Sequence, residues 1–139
     1  MTSNGCFETM RAYRGRIFRL DAHLDRLWGS AQDLGVRLPW DRQEGARQLR
    51  RALASSALQE AVVRIALLPQ PDGRTTPSIV VQPATLPPAS AYRRGIALAV
   101  VPTRKYPVST IDNQAKYSAR LASVMAVADA QLRGADEAL

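Results

Sequence analysis

A chain of 139 residues, 46% of them hydrophobic, has enough apolar material for one ordinary core and is too short for two complete domains. Its formal net charge of +7 suits a nucleic acid or an anionic substrate. The arginines are scattered, however, aromatic residues make up only 6%, and no zinc-finger or RNP-type pattern occurs, so we expect no nucleic-acid partner.

The cellular compartment is indicated by two further features. Cys6 is the only cysteine, which rules out an intramolecular disulfide and favours a reducing compartment. The N-terminus has no basic segment followed by an apolar run, and no stretch approaches about 18 apolar residues. We expect a cytoplasmic protein with no membrane partner. No metal site is expected, because the single Cys and the single His, His23, lie far apart in sequence.

The first predicted element is a hairpin. Residues 5–13 alternate in the manner of a strand, Arg14-Gly15 supplies a two-residue turn, and residues 16–20 return as the second strand. One face of the first strand carries Phe7, Thr9, Arg11 and Tyr13, and the other carries Cys6, Glu8, Met10 and Ala12.

Two amphipathic helices follow. The first is predicted over 21–34, with Asp21 as its N-cap and Gly35 ending it. The second is predicted over 41–58, because Asp41 and Glu44 have the spacing of a capping box.

The remainder of the chain alternates strands and connections. Residues 60–68 and 78–82 are predicted as buried strands joined by a turn over 69–74, and 95–102 as another strand. Residues 86–90 and 103–114 are predicted as connections, and 117–133 as a helix. The predicted fold class is α+β, a mostly antiparallel sheet with two packed helices, followed by the first helix and a short strand of a second lobe.

The lysine content singles out one residue. The chain has seventeen Arg and only two Lys, Lys105 and Lys116. An amine can lose its proton when desolvated and attack a carbonyl, whereas a guanidinium stays charged. Composition alone is equally compatible with Lys116 as an ordinary solvated lysine.

Two motifs in fixed order resemble the fold-type IV (class IV) pyridoxal-phosphate enzymes, which include branched-chain and D-amino-acid aminotransferases and aminodeoxychorismate lyase. The first is Gly-Cys-Phe-Glu-Thr-Met-Arg-Ala-Tyr over 5–13, with Phe-Arg-Leu-Asp-Ala-His-Leu-Asp-Arg-Leu over 18–27. The second is Lys116 ahead of a helix of small and aliphatic residues, which ends in Gly-Ala-Asp-Glu-Ala-Leu over 134–139. The ordered pair covers nearly the whole chain.

The resemblance implies pyridoxal 5'-phosphate as cofactor, with Lys116 as the Schiff-base lysine that forms the internal aldimine and Arg26 as the phosphate-binding residue. It places Phe7 at the substrate pocket, while Arg11 and Arg64 lie on strand faces that can look into the same cavity. It also implies a homodimer that acts on an amino acid and a keto acid. The expected layout is an N-terminal lobe over 1–102, a connection over 103–114, and the start of a C-terminal lobe over 115–139.

Each of these assignments has a plainer structural alternative. Arg26 can be a surface arginine lying over Leu27, Phe7 can be a core residue, and His23 is best interpreted as a structural residue near the start of the first helix. Arg64 is costly to bury unpaired, so it either reaches a carboxylate or points outward.

The resemblance leaves the reaction open. An aminotransferase transferring an amino group between an amino acid and a 2-keto acid is the first expectation. Tyr117 and Arg120 depart from the aminotransferase pattern, and an Arg four places after the lysine resembles the lyase branch, so 4-amino-4-deoxychorismate lyase is the alternative. Family members normally carry a long second lobe after this point, so the chain is also compatible with a fragment, a truncated lobe without catalytic activity.

Overall fold

The fold comes from a computed structural model, in which residues 5–103 and 121–139 are described. These residues form two compact units, one over 5–84 and the other over 85–103 together with 121–139. The predicted boundaries at 102 and 114 stay a prediction. In the described part of the chain, no helix is both long and apolar enough to cross a membrane.

The first unit is a four-stranded antiparallel sheet with two helices, which confirms the predicted fold class. The strand order is β2-β1-β3-β4. In chain order the elements are β1 Cys6–Tyr13, β2 Arg16–Ile17, α1 Leu20–Asp33, α2 Arg42–Ser56, β3 Ala61–Pro69 and β4 Thr75–Pro83.

The β1–β2 turn is formed by the residues that the sequence indicated. Arg14 and Gly15 both have positive φ, 50° and 70°, the combination that joins two twisted strands through two residues. The turn is held to the start of β3 by two bonds, from the Arg14 backbone N–H to Glu60 Oε1 (3.1 Å) and from the Gly15 N–H to the Gln59 carbonyl (2.9 Å).

Both helices pack on a single face of the sheet and bury one continuous apolar core. Leu24 and Leu27 of α1 and Leu49 and Leu53 of α2 meet the inward side chains of β1 and β3. The helices approach closely where α2 has a glycine, since a Cβ at Gly45 would lie 2.7 Å from Trp28 Cη2.

The predicted helix starts had different outcomes. Asp41 caps α2 as expected, accepting the Glu44 backbone N–H over 2.7 Å. Asp21 as the cap of α1 is wrong. The N-cap is Arg19, in the left-handed region with φ of 49°, so Asp21 already lies inside the first turn and its carboxylate is 3.3 Å from Arg42 Nη2.

The second unit has shorter elements than the sequence suggested. They are α3 Ala89–Arg94, β5 Leu98–Ala99, α4 Leu121–Leu132 and β6 Glu137–Ala138, with β5 and β6 paired in parallel. The strand expected over 95–102 is therefore only two residues long, because the described partner strand is equally short. The connection expected over 86–90 overlaps the first residues of α3.

Candidate functional site

The alternation along β1 divides its side chains between two environments. Glu8 is on the face covered by the helices, together with Cys6, Met10 and Ala12 of the core. Phe7 and Arg11 are on the opposite face. β2 pairs only with Ala12 and Tyr13, so the beginning of β1 lies at the edge of the described sheet.

On the helix side, Glu8 is surrounded by two cationic or titratable side chains of α1. Its carboxylate is fully buried, at 0% exposure. Arg26 donates from Nε to Oε1 over 2.5 Å and from Nη2 to Oε2 over 2.7 Å. His23 Nδ1 lies 2.8 Å from Oε2. His23 and Arg26 are three residues apart, which puts them on the same side of the helix.

Charge compensation explains why this carboxylate is tolerated in the interior. A buried charge without partners is strongly unfavourable, whereas Glu8 receives a bidentate guanidinium and an imidazole. The pKa of Arg26 is raised above its usual value, chiefly by the hydrogen bond to Glu8. An ionised carboxylate can only accept, so His23 donates through Nδ1.

Arg26 is only partly used by this contact. The side chain is 49% exposed, and Nη1 makes no hydrogen bond to any residue of 5–103 or 121–139. A guanidinium can serve two planar anions at once, one along its Nε–Nη2 edge and one along its Nη1–Nη2 edge. Glu8 occupies the first edge, so the second is the one that a further anion could reach.

The opposite face of the sheet holds the other arginine of interest. The Arg64 guanidinium carbon lies 4.3 Å from the centroid of the Phe7 ring, a cation–π contact. Phe7 is only 3% exposed but does not belong to the core on the helix side. Arg64 is exposed, and its Cα partner across β1 is Thr9.

Arg11 lies on the same face, toward the hairpin. Its Nη2 is 3.3 Å from Glu60 Oε2, and its guanidinium carbon is 5.2 Å from the Tyr13 ring centroid. The buried Nε of Arg11 has no hydrogen-bond partner among the described residues. Arg11 therefore retains an unused donor although one of its other nitrogens is paired.

The structure thus brings Phe7, Arg11 and Arg64 to one face of the sheet and places Arg26 on the other. Lys116 lies outside the described residues, as does Arg120. Cys6 is no nucleophile, because burial raises the pKa of its thiol to about 11. No cluster of His, Cys, Asp and Glu suited to a metal ion occurs in the described ranges.

Glu8 is the residue that the sequence reasoning missed. Its position was predicted, on a strand face with Cys6, Met10 and Ala12, but no role was given to it. A carboxylate on an otherwise apolar strand face needs a buried partner, and that was the available signal.

Comparison with known proteins gives the family. The family model for amino-transferase class IV matches residues 5–139. The chain belongs to this family. Within class IV, the curated relative "Putative branched-chain-amino-acid aminotransferase" of Methanocaldococcus jannaschii is 31% identical over 144 residues, which cover 97% of the chain and 49% of the relative.

Solved structures of the class share the fold. The crystal structure named "Putative 4-amino-4-deoxychorismate lyase" superposes with a TM-score of 0.81 at 27% identity, over 99% of the chain and 53% of that protein. A branched-chain amino acid aminotransferase with pyridoxamine 5'-phosphate, from the organism abbreviated T.th., superposes with a TM-score of 0.89 at 24% identity, over 99% and 49%. The chain spans about half the length of the relatives it matches.

Proposed function

We propose that this class IV chain takes part in pyridoxal-phosphate-dependent amino transfer between an amino acid and a 2-keto acid. The observation that carries the proposal is the Arg26 guanidinium, which is fixed by a buried carboxylate on one edge and half exposed on the other. The name of the Methanocaldococcus jannaschii relative supports amino transfer, and the structural neighbour with pyridoxamine 5'-phosphate supports the cofactor class.

The residues present fit part of what this cofactor requires. Pyridoxal phosphate needs an amine for its aldehyde, donors for its phosphate and an acid beside its ring nitrogen. The free edge of Arg26 offers paired N–H donors, which match two phosphate oxygens. When bound, the cofactor supplies an electron sink for the bond that breaks at the substrate Cα.

Lys116 is proposed as the amine. It would hold the cofactor's aldehyde carbon covalently and, once displaced by the substrate's amino group, carry a proton between the substrate Cα and C4′. The unprotonated amine is the reactive form, so this role requires a lysine whose pKa lies near the working pH.

The face formed by Phe7, Arg11 and Arg64 is proposed as the substrate side. Arg64 is exposed and Arg11 has an unused Nε–H, so both can receive a carboxylate, while Phe7 offers apolar contact. Since Arg26 is on the other face, a ligand that touches both sets must pass the edge of the sheet at β1. A homodimer, proposed from the resemblance, would supply further walls of such a site.

The direct test uses the two lysines of the chain. The protein is incubated with pyridoxal phosphate, reduced with borohydride and mapped by mass spectrometry. We expect the label on Lys116, lost in Lys116→Ala and retained in the matched control Lys105→Ala. Label at Lys105 alone, or equal labelling of both variants, contradicts the assignment. Turnover is then followed as keto-acid-dependent loss of the amino donor.

A lyase reaction is the second candidate, favoured by Arg120 at the fourth place after Lys116 and by the 27% identity to the protein named as a 4-amino-4-deoxychorismate lyase. Both reactions need the same lysine. Pyruvate release from 4-amino-4-deoxychorismate without any added keto acid supports the lyase, and amino transfer to an added keto acid supports the aminotransferase.

A further inference from the structure

Glu8 is a buried carboxylate for which the proposed function has so far given no task. Its neighbours on the same strand face are apolar, and among the described side chains it is the fully buried acid. Apolar groups at such a position often give equal or greater stability than a buried ion pair. A role beyond stability is therefore worth seeking.

We propose that Glu8 is a positioning residue for phosphate binding, which orients Arg26 so that its Nη1–Nη2 edge is presented to the cofactor's phosphate. The inference rests on the proposed function and adds to it the residue that sets the geometry of the phosphate site.

The first argument is rigidity. Glu8 belongs to β1, whose backbone is paired with β3, and its Cα partner there is the fully buried Ile65. Two charge-assisted bonds of 2.5 and 2.7 Å connect this fixed carboxylate to Arg26. An arginine held at Nε and Nη2 loses the rotation that would otherwise have to be frozen when the phosphate binds.

The second argument is that the carboxylate is itself held by a third group. His23 donates to Oε2, the oxygen that also accepts from Arg26 Nη2. Neither oxygen of Glu8 can turn without breaking a charge-assisted bond. The direction of the guanidinium is thus set by groups on two elements, β1 and α1.

The same contact also has an opposing effect, which makes the proposal testable. Glu8 cancels the charge of Arg26, so removing the carboxylate strengthens the electrostatic attraction for phosphate. It also frees the side chain, which weakens binding. If orientation dominates, loss of Glu8 lowers phosphate affinity; if neutralisation dominates, loss of Glu8 raises it.

The experiment measures dissociation constants of pyridoxal phosphate and of pyridoxal, which lacks the phosphate, for the full chain carrying Glu8→Gln. We expect the preference for the phosphorylated form to fall about tenfold, the size expected for losing a pre-ordered long side chain. The constant for pyridoxal should stay unchanged. The matched control is Glu44→Gln, the same substitution at an exposed ion pair in α2, which should leave both constants unchanged.

A preference that is unchanged or increased in Glu8→Gln overturns the inference. Should that variant fail to fold, the unsubstituted protein decides the matter through the Nε–H of Arg26 by nitrogen-15 NMR, assigned with Arg26→Lys. An ordered signal before addition of inorganic phosphate is expected. A mobile side chain that becomes ordered only with phosphate refutes positioning by Glu8.

Failure of the inference can be told apart from failure of the proposed function. A phosphate preference that disappears in Arg26→Gln but persists in Glu8→Gln removes only the role of Glu8. Absence of any phosphate preference in the unsubstituted protein removes the phosphate site and the inference with it. Absence of borohydride label on Lys116 concerns the proposed reaction and leaves the measured behaviour of Arg26 standing.

Discussion

The two units of the chain differ in how completely each covers its own apolar side chains. In the first, α1 and α2 turn one apolar side to the sheet, and Leu24, Leu27 and Leu49 are at most 1% exposed. In the second, α4 has a single buried residue, Ala130, while Leu121, Val124, Met125 and Leu132 are exposed.

The difference follows from the sequence patterns of the helices. α1 and α2 carry charged residues on one side, so a single packed surface satisfies them. α4 is apolar nearly all round, a pattern typical of a helix covered on several sides. The described residues of its own unit cover only a small part of it. Stability and the proposed phosphate anchor therefore both depend on the first unit.

The largest expected effect comes from emptying the core of the first unit. Leu49→Ala should lower the free energy of unfolding by about 3 kcal/mol, because a fully buried leucine leaves a cavity. Trp28 and Trp40 report urea unfolding of this unit. The matched control is Leu132→Ala at 89% exposure, which should change neither the fluorescence transition nor the one followed by circular dichroism by more than about 0.5 kcal/mol. Equal effects would contradict the contrast between the units.

The close approach of α1 and α2 gives the next effect. Gly45→Ala should destabilise by about 1 to 3 kcal/mol, because the new Cβ would lie 2.7 Å from Trp28 Cη2. Gly29→Ala, in α1 with no atom within 4 Å of its Cβ, should instead stabilise by about 0.5 to 1 kcal/mol. Thermal unfolding of both variants decides this, and a stabilising Gly45→Ala would show that the helices are less tightly packed.

Helix capping and strand pairing provide a smaller contrast. Asp41→Ala removes the acceptor for the Glu44 N–H and should cost the first unit about 1 kcal/mol in urea unfolding. Asp136→Ala removes the acceptor for the Ala97 N–H, 2.8 Å away in the second unit. That change should leave the tryptophan transition in place and speed hydrogen exchange at Ala97. A shift of the tryptophan transition by Asp136→Ala would contradict the separation of the two units.

The smallest expected effect is a pH dependence at the surface of α2. The pKa of Glu44 is lowered from 4.5 by its hydrogen bonds, first from Gln48 and then from Arg47. Because the folded pKa lies below the unfolded one, the stabilisation is complete above the unfolded value and is lost as pH falls through the folded value. The stability difference between the unsubstituted protein and Glu44→Gln should therefore shrink on acidification. A difference that does not vary with pH would argue against these bonds in solution.

Local signals in the sequence predicted the first unit well. The Arg14-Gly15 turn, the Asp41 cap and the alternation of β1 all depend on neighbours within a few residues. The failures needed tertiary information. Asp21 was taken as a cap because the left-handed turn at Arg19 leaves no mark in composition, and the short β5 depends on the length of its partner strand.

The candidate site was predictable only in pieces. Arg26, Phe7, Arg11 and Arg64 were named from the resemblance or from strand faces. The buried pairing of Glu8 with Arg26 joins residues 18 apart, on a strand and a helix whose docking no local pattern gives. The roles of Lys116 and Arg26 in cofactor binding stay predictions.

The central claim is that Arg26 anchors the phosphate of a pyridoxal cofactor. Its most direct test compares the affinities of the unsubstituted protein and of Arg26→Gln for pyridoxal phosphate and for pyridoxal. The account predicts that the phosphate group strengthens binding in the unsubstituted protein and that most of this gain disappears in the variant. An equal gain from the phosphate group in both proteins would contradict it.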